Sequence, residues 1–307
     1  MGRRIASVYL RLEQERILGL PGTPRMRYCP CMAGTLFLVA TPIGNLGDIT
    51  YRAVRILTSV NAIACEDTRH TRKLLDHYSI STPLISLHEH NEADRSRQLV
   101  TRLCCGESIA LVSDAGTPLV SDPGYRLVSL AVSASIPVVP VPGPSALLAA
   151  LSASGLPTDE FHFLGFLAAK ASQRRKQLES IREEAGTVIF YEAPHRMLDS
   201  LADVESILGP ARPVVLAREV TKVHEEFLRG PVSSVLRQLS ARPTVKGEFT
   251  LVIGRAPEAE MEQASPGVLR AQVEALIQSG SARMDAIKQV AHEHRLGKRE
   301  VYRILES

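Results

Sequence analysis

The 307-residue chain is expected to fold as two α/β domains with a cleft between them, followed by a small C-terminal helical module. Three observations predict this. From Gly34 onward, short runs rich in Val, Ile and Leu alternate with helix-period segments. After Asp159 a second series begins in which two strand runs lie too close together for a helix to cross between them. The loops that follow strands of the first series are built from Gly, Pro and other small residues.

The first series reads TLFLVA (35–40), AIAC (62–65), PLISL (83–87), SIALVS (108–113) and IPVVPV (136–141), with helical stretches near 50–58, 68–78, 92–105, 123–134 and 144–153. Near-continuous apolar strands spaced by helices are the pattern of a parallel sheet covered on both faces, which defines a domain over 33–155. The segment 154–159, with Gly155 and Pro157, reads as a joint. The second series is FHFLGF (161–166), TVIFY (187–191), PVVLARE (213–219), EEFLRG (225–230) and EFTLVIG (248–254), interleaved with helices near 172–184, 195–207 and 232–240. The short gap between 213–219 and 225–230 requires antiparallel pairing, so a mixed sheet is expected over 156–256. The acidic, apolar-poor stretch 257–266 marks a linker. Three short amphipathic helices at 267–278, 283–294 and 298–306 then form a module over 267–307. Ala286, Ile287, Val290 and Ala291 lie on one side of its middle helix, and Val301, Ile304 and Leu305 on its last, as in a helix-turn-helix unit. Residues 1–32, with Met26 and Met32 ahead of the first strand, read as a flexible extension.

Hydrophobic residues make up 45% of the chain, enough to build two cores, and the net charge of +3 is only mildly basic. A protein whose surface mostly gripped a polyanion would carry a stronger footprint, so any nucleic-acid contact is expected to be a local patch. The five cysteines are Cys29, Cys31, Cys65, Cys104 and Cys105. An odd total without a second half-site suits reduced thiols rather than disulfides or a four-ligand zinc site, and no metal is expected. Arg11, Glu13, Glu15 and Arg16 interrupt any apolar run that an export signal needs. The longest apolar runs, such as 136–142, are far below the roughly 20 residues that span a bilayer. A cytoplasmic location without membrane contact is the expectation.

Three loops carry the chemistry. Thr41-Pro-Ile-Gly-Asn-Leu-Gly-Asp48 follows the first strand and leads into a helix, but it is neither a G-x-G-x-x-G fingerprint nor a P-loop. The run from Ser113 to Gly124 (SDAGTPLVSDPG) follows the fourth strand and holds two carboxylates. Val141-Pro-Gly-Pro-Ser-Ala146 follows the fifth, with Ser145 in the first turn of the next helix. Each alone is an ordinary turn. Jointly they put a ligand site at the carboxyl edge of the sheet, where open α/β sheets bind ligands. Among the cations, Arg69 and Lys73 stand i, i+4 on one helix face with Arg72 beside them, and His195 with Arg196 opens another helix.

The succession TPIGNLGDIT, CEDTRHTRKLL, SDAGTPLVSDPG, VPGPSALLAAL, FYEAPHR, REVTK-x-HEEF and KGEFTLVIG, in this order and spacing over residues 34–254, resembles the tetrapyrrole methylase superfamily. Within it the match is to the branch of 16S ribosomal RNA (cytidine-2′-O)-methyltransferases. Relatives that act on porphyrin and corrin precursors, as tetrapyrrole C-methyltransferases, carry a Gly-x-Gly-Pro-Gly-Asp first loop. They also lack the EDTRHT and YEAPHR strings, which disfavours a tetrapyrrole substrate here.

The resemblance implies an S-adenosylmethionine-dependent enzyme that methylates a cytidine ribose in the decoding region of 16S rRNA. It also implies a homodimer. By motif position, the cofactor trough is lined by Ile43, Gly44, Ala115, Gly116, Thr117, Val120, Ser121, Ser145, Ala146, Glu192 and Thr250, and a carboxylate such as Asp114 would favour the sulfonium. A ribose hydroxyl is a weak nucleophile, so a base is of use. Glu66, Asp67, Glu192 and Glu219 each stand at a strand end and remain open as candidates. Each reads equally well as a helix cap or as the partner of Arg69, Arg196, Arg218 or Lys222. Arg69, Arg72, Lys73, His195, Arg196, Lys222, Arg299 and Arg303 are the expected RNA contacts. With no Trp and 5% aromatic residues, recognition is expected to rest on phosphates and folded RNA shape rather than on base stacking.

Overall fold

The computed structural model describes residues 33–255, 266–293 and 298–306. The expected N-terminal extension with Cys29 and Cys31, residues 257–265 of the linker and Arg295 lie outside them.

The first half forms a five-stranded sheet of β1 (Leu36–Val39), β2 (Ala62–Cys65), β3 (Leu84–Ser86), β4 (Ile109–Leu111) and β5 (Val138–Val141), in the order β3-β2-β4-β1-β5. Every pairing is parallel. Side chains alternate across the sheet. Leu36, Ile109 and Leu111 pack on one face with Leu99, Leu103 and Leu127, while Val39, Ile63 and Ala110 pack on the other with Leu57 and Leu75. Helices α1 (Tyr51–Ser59), α2 (Thr68–His77), α3 (Glu92–Cys104), α4 (Tyr125–Ser133) and α5 (Ala146–Ser152) alternate with the strands. Local chemistry starts three of them. Thr50, Asp67 and Ser145 are N-caps whose side chains accept from Ala53, Arg69 and Leu148 N–H groups. Ser145 therefore precedes the helix that it was expected to lie within.

The second sheet contains β6 (Phe161–Phe166), β7 (Thr187–Glu192), β8 (Pro213–Arg218), β9 (Glu226–Pro231) and β10 (Phe249–Ile253), in the order β6-β7-β10-β8-β9. It is mixed: β6 and β7 are parallel, and the remaining pairs are antiparallel. One face is covered by α6 (Ala171–Ser180), α7 (Met197–Leu208) and α8 (Val232–Ser240) around Phe190, Leu201, Leu216 and Leu251. The other face, with Ile189, Val215, Ala217 and Val252, packs on Ala150 and Leu151 of α5 and on Ile43. That contact joins the two halves beside a cleft lined from both.

Helix α6 stops four residues before its expected end. Ile181 turns into the core, and the Ile181, Arg182 and Glu184 N–H groups bond three residues back, tightening the chain out of the α form. Residues 194–196 form a 3₁₀ turn, with Pro194 at its first position, before α7 begins. The three C-terminal helices, α9 (Pro266–Gln278), α10 (Arg283–Glu293) and α11 (Lys298–Glu306), enclose their own core of Leu269, Val273, Ala286, Ile287, Val290 and Val301. Among the described residues, no helix is long and apolar enough to cross a membrane. Cys65, Cys104 and Cys105 are free thiols.

Candidate active site

The three loops predicted from sequence meet in one floor. Thr41 and Gly116 exchange backbone hydrogen bonds of 2.9 and 3.0 Å, and the Thr117 hydroxyl donates to the Pro144 carbonyl at 3.2 Å. Gly116 has φ +82, a left-handed backbone that favours glycine where the two loops pair. Leu119 and Ser121 are also left-handed, at φ 71 and 67. Non-glycine residues in that region carry strain of order 1–3 kcal/mol each, a feature that clusters at functional sites.

Above this floor lies a cavity of about 350 Å³. Its first wall is Ile43, Ala115, Gly116, Thr117, Val120, Ser121, Asp122, Ser145 and Ala146. Its second wall comes from the other sheet: Phe166, Tyr191, Glu192, Ala193, Pro194, Val220, Glu248, Phe249 and Thr250. Gly44 and Asp114, expected in the same trough, instead line an adjoining cavity of about 250 Å³ with Thr41, His70 and Lys73. The displacement has a local cause. Lys222 of the second half packs on Gly44, where a Cβ would meet its chain at 2.3 Å, and Asp114 turns to accept the Asp67 N–H at 3.1 Å.

Sequence reasoning missed Asp122, Phe166, Tyr191 and Glu248 as lining residues. Tyr191 packs edge-on against Phe163 and Phe166, with ring centroids 4.9 and 5.6 Å apart. Asp122 had a visible signal, since it is the second carboxylate of the SDAGTPLVSDPG run, but its environment did not. Burial pushes its carboxyl up to about 6; the negative charges of Glu66 and Asp114 add to the rise, and a Ser113 hydrogen bond opposes it.

The four acids considered as bases are placed differently. Asp67 caps α2 and chelates Arg69, whose side-chain and backbone hydrogen bonds hold its carboxyl at about 2. Glu192 lines the cavity, but its carboxylate is fully enclosed, bound by Arg196 at 2.5 Å, the Ser200 hydroxyl at 2.6 Å and the Ala193 N–H at 2.7 Å. Glu219 accepts the Glu248 N–H at 2.8 Å and pairs with Lys222 at 3.0 Å, which lower its carboxyl. Glu66 is raised, chiefly by burial, but lines neither cavity.

Of the expected RNA contacts, three cations are already neutralised. Arg69 is held by Asp67, Arg196 by Glu192, and Lys222 by both Glu219 and Glu248. Lys73, His195 and Arg303 are exposed and Arg72 is half-buried. The side chain of Arg299 lies outside the described residues.

Residues 35–236 match the family model of the Tetrapyrrole (Corrin/Porphyrin) Methylases. The protein named Ribosomal RNA small subunit methyltransferase I from Synechocystis sp. is 48% identical over 271 residues, covering 88% of this chain and 97% of its own. The chain belongs to the tetrapyrrole methylase family. A second member of that name, from Escherichia coli O157:H7, is 46% identical over 88% of this chain and 94% of its own. The fold agrees with that of uroporphyrin-III C-methyltransferase from Thermus thermophilus, solved in complex with S-adenyl homocysteine. Its TM-score is 0.51 at 17% identity, over 73% of this chain and 98% of that one.

For a methylase of this family, the cavity fits a nucleoside cofactor. Its volume is in the range that holds a small ligand, and Ile43, Val120, Ala146, Val220 and Phe249 offer apolar flanks for a planar base.

Proposed function

We propose that this protein transfers the methyl group of S-adenosylmethionine to the ribose 2′-oxygen of a cytidine in the decoding region of 16S ribosomal RNA. One observation carries the reading. The chain is 48% identical, over 88% of its own length and 97% of the relative's, to a protein named for methylation of small-subunit ribosomal RNA, and the three loops that floor the larger cavity lie within the residues 35–236 matched by the methylase family model. S-adenosylmethionine supplies an activated methyl group on a sulfonium. Ile43, Ala115, Gly116, Thr117, Val120, Ser145, Ala146 and Thr250 hold it. Displacement at carbon requires acceptor, methyl and sulfur to be collinear, so positioning supplies much of the rate. The cavity walls provide it.

The RNA approaches across the smaller cavity, where Lys73 and His70 stand beside Arg72, with His195 following Pro194 of the larger cavity's second wall. The substrate is the small ribosomal subunit, the active form is a homodimer, and the location is the cytoplasm. A porphyrin or corrin substrate is disfavoured by the Thr41-Pro-Ile-Gly-Asn loop. The test is methyl transfer from labelled S-adenosylmethionine to small subunits from cells lacking this protein, followed by nucleoside mass spectrometry. Appearance of 2′-O-methylcytidine is expected. Label on a base, or none on RNA, overturns the assignment.

A further inference from the structure

We infer that Asp122 is the catalytic residue that accepts the proton of the ribose 2′-hydroxyl during methyl transfer, an inference that rests on the 2′-O-methylation reading above. Asp122 lines the larger cavity from the loop after β4. Among the described residues, no lysine, arginine or histidine pairs with it, whereas Glu192 and Glu248 on the opposite wall are both bound to cations. An acid committed to a cation is a poor proton acceptor, and Glu192 is besides fully enclosed by its three donors.

The segment also holds Asp122 in place. It stands between left-handed Ser121 and Pro123, and the next N–H, that of Gly124, donates to Glu92 at 3.0 Å. Such a fixed backbone keeps a carboxylate on station without help from a salt bridge. The groups facing it are the Ser113 hydroxyl, the carboxylates of Glu66 and Asp114, and the Tyr191 phenol. All are neutral or negative. Burial among them raises the carboxyl to about 6, where it is ionised at neutral pH yet far more basic than Asp67 or Glu219. Burial likewise pushes the Tyr191 phenol up, so that it stays protonated and is no competitor.

In the transfer step a lone pair of O2′ forms the bond to the methyl carbon while the carbon–sulfur bond breaks, its electron pair remaining on sulfur. The O2′ proton passes to a carboxylate oxygen of Asp122, which then releases it to solvent. The products are the 2′-methyl ether, the thioether and one proton.

The test compares the wild-type protein with Asp122→Asn and Asp122→Glu on small subunits lacking the modification, with S-adenosylhomocysteine affinity measured by calorimetry. Asp122→Asn should lower kcat by about 10²- to 10³-fold, the range that a general base supplies, with KM and inhibitor affinity changed by less than about threefold. Asp122→Glu should recover part of the loss. Wild-type kcat should fall about tenfold per pH unit below a break near 6, and Asp122→Asn should lack that break. Independently of turnover, the Asp122 carboxyl carbon, assigned in 13C-aspartate-labelled protein by its loss in Asp122→Asn, should titrate near 6.

A kcat for Asp122→Asn close to wild type, or a pH break that survives the substitution, overturns the inference. If Asp122→Asn does not fold, the signal is assigned by its loss in Asp122→Glu and the wild-type titration decides, because a carboxyl titrating near 4 cannot produce a break near 6. Failure of the wild-type protein to methylate the subunit instead removes the functional reading and leaves the titration result standing.

Discussion

The two walls of the larger cavity differ in what they do with charge. On the wall from the mixed sheet, Glu192 and Glu248 are tied to Arg196 and Lys222, as is Glu219 behind it, by bonds of 2.5 to 3.0 Å. On the wall from the parallel sheet, Asp122 and the nearby Asp114 and Glu66 pair with no cation among the described residues. The mixed sheet uses its carboxylates to hold β7, β10 and the 219–225 turn together. The parallel sheet brings small, close-approaching loops and acids whose charge is not cancelled. Acids on the first wall are therefore structural, and acids on the second are available for chemistry.

The strongest attempt to break this division puts a large cation on the reactive side. Ala115→Arg or Ser145→Arg introduces a side chain into the cavity at residues that are not core, so methyl transfer and S-adenosylhomocysteine binding should be lost while the melting temperature moves by no more than about 2–4 °C. Retained activity in either variant, measured by label incorporation, means the cavity is not the cofactor site.

On the structural side the expected effect falls on stability. Glu192→Ala leaves the mostly enclosed Arg196 without its partner, and breaking a buried pair by removing one member costs about 3–5 kcal/mol. Denaturant unfolding checks this. A destabilisation below about 1 kcal/mol would show that Glu192 is not needed by the fold and would return it to the catalytic candidates.

Asp122 should behave in the opposite way. Its carboxyl is raised in the folded protein, so its stability contribution is fully present below the ordinary value of 3.8 and is lost as pH rises through about 6. Asp122→Asn should therefore be more stable than wild type at pH 7.5 and indistinguishable near pH 3.5. The gain should be on the order of 1 kcal/mol, the full conversion being reduced by partial solvent access. Thermal melts at the two pH values measure it. A destabilised variant at pH 7.5 would mean that the ionised carboxylate is a structural group like Glu192.

The sequence made much of this arrangement legible, and the reason lies in periodicity. β2 spans the residues read as a strand, the close spacing of β8 and β9 required their antiparallel pairing, and the three loops announced themselves by composition. The pairs Asp67–Arg69, Glu192–Arg196 and Glu219–Lys222 were also foreseeable as alternatives to catalysis, because each falls within about one turn of chain. Asp122 was not legible. Its basicity comes from burial, from Glu66, which only the pairing of β2 with β4 brings alongside, and from Asp114 of its own loop. The pairing of Lys222 with Glu248 and its packing on Gly44, which divert Gly44 from the larger cavity, also join segments distant in sequence.

The same division applies to cations, and here the smallest effects are expected. Lys222 is committed to Glu219 and Glu248, while Lys73 at the smaller cavity and Arg303 on α11 are exposed. Removing a side chain that touches one phosphate flattens the dependence of log affinity on log salt by up to about one unit. Lys73→Ala should show that change on binding to the small subunit, and Lys222→Ala should be less stable with little change in slope. Arg303→Ala tests the C-terminal module, whose helices enclose a core of their own, so deletion after Arg255 should leave S-adenosylhomocysteine affinity nearly unchanged while weakening subunit binding. Arg303 lies on α11 beside Ile304 and Leu305, which pack inward, and it is exposed. Its replacement should reduce the slope by at most about one unit without altering kcat. If the truncated protein methylates subunits at the full rate with an unchanged slope, the exposed charge of α11 faces solvent, and the module serves the assembly of the protein instead of its grip on RNA.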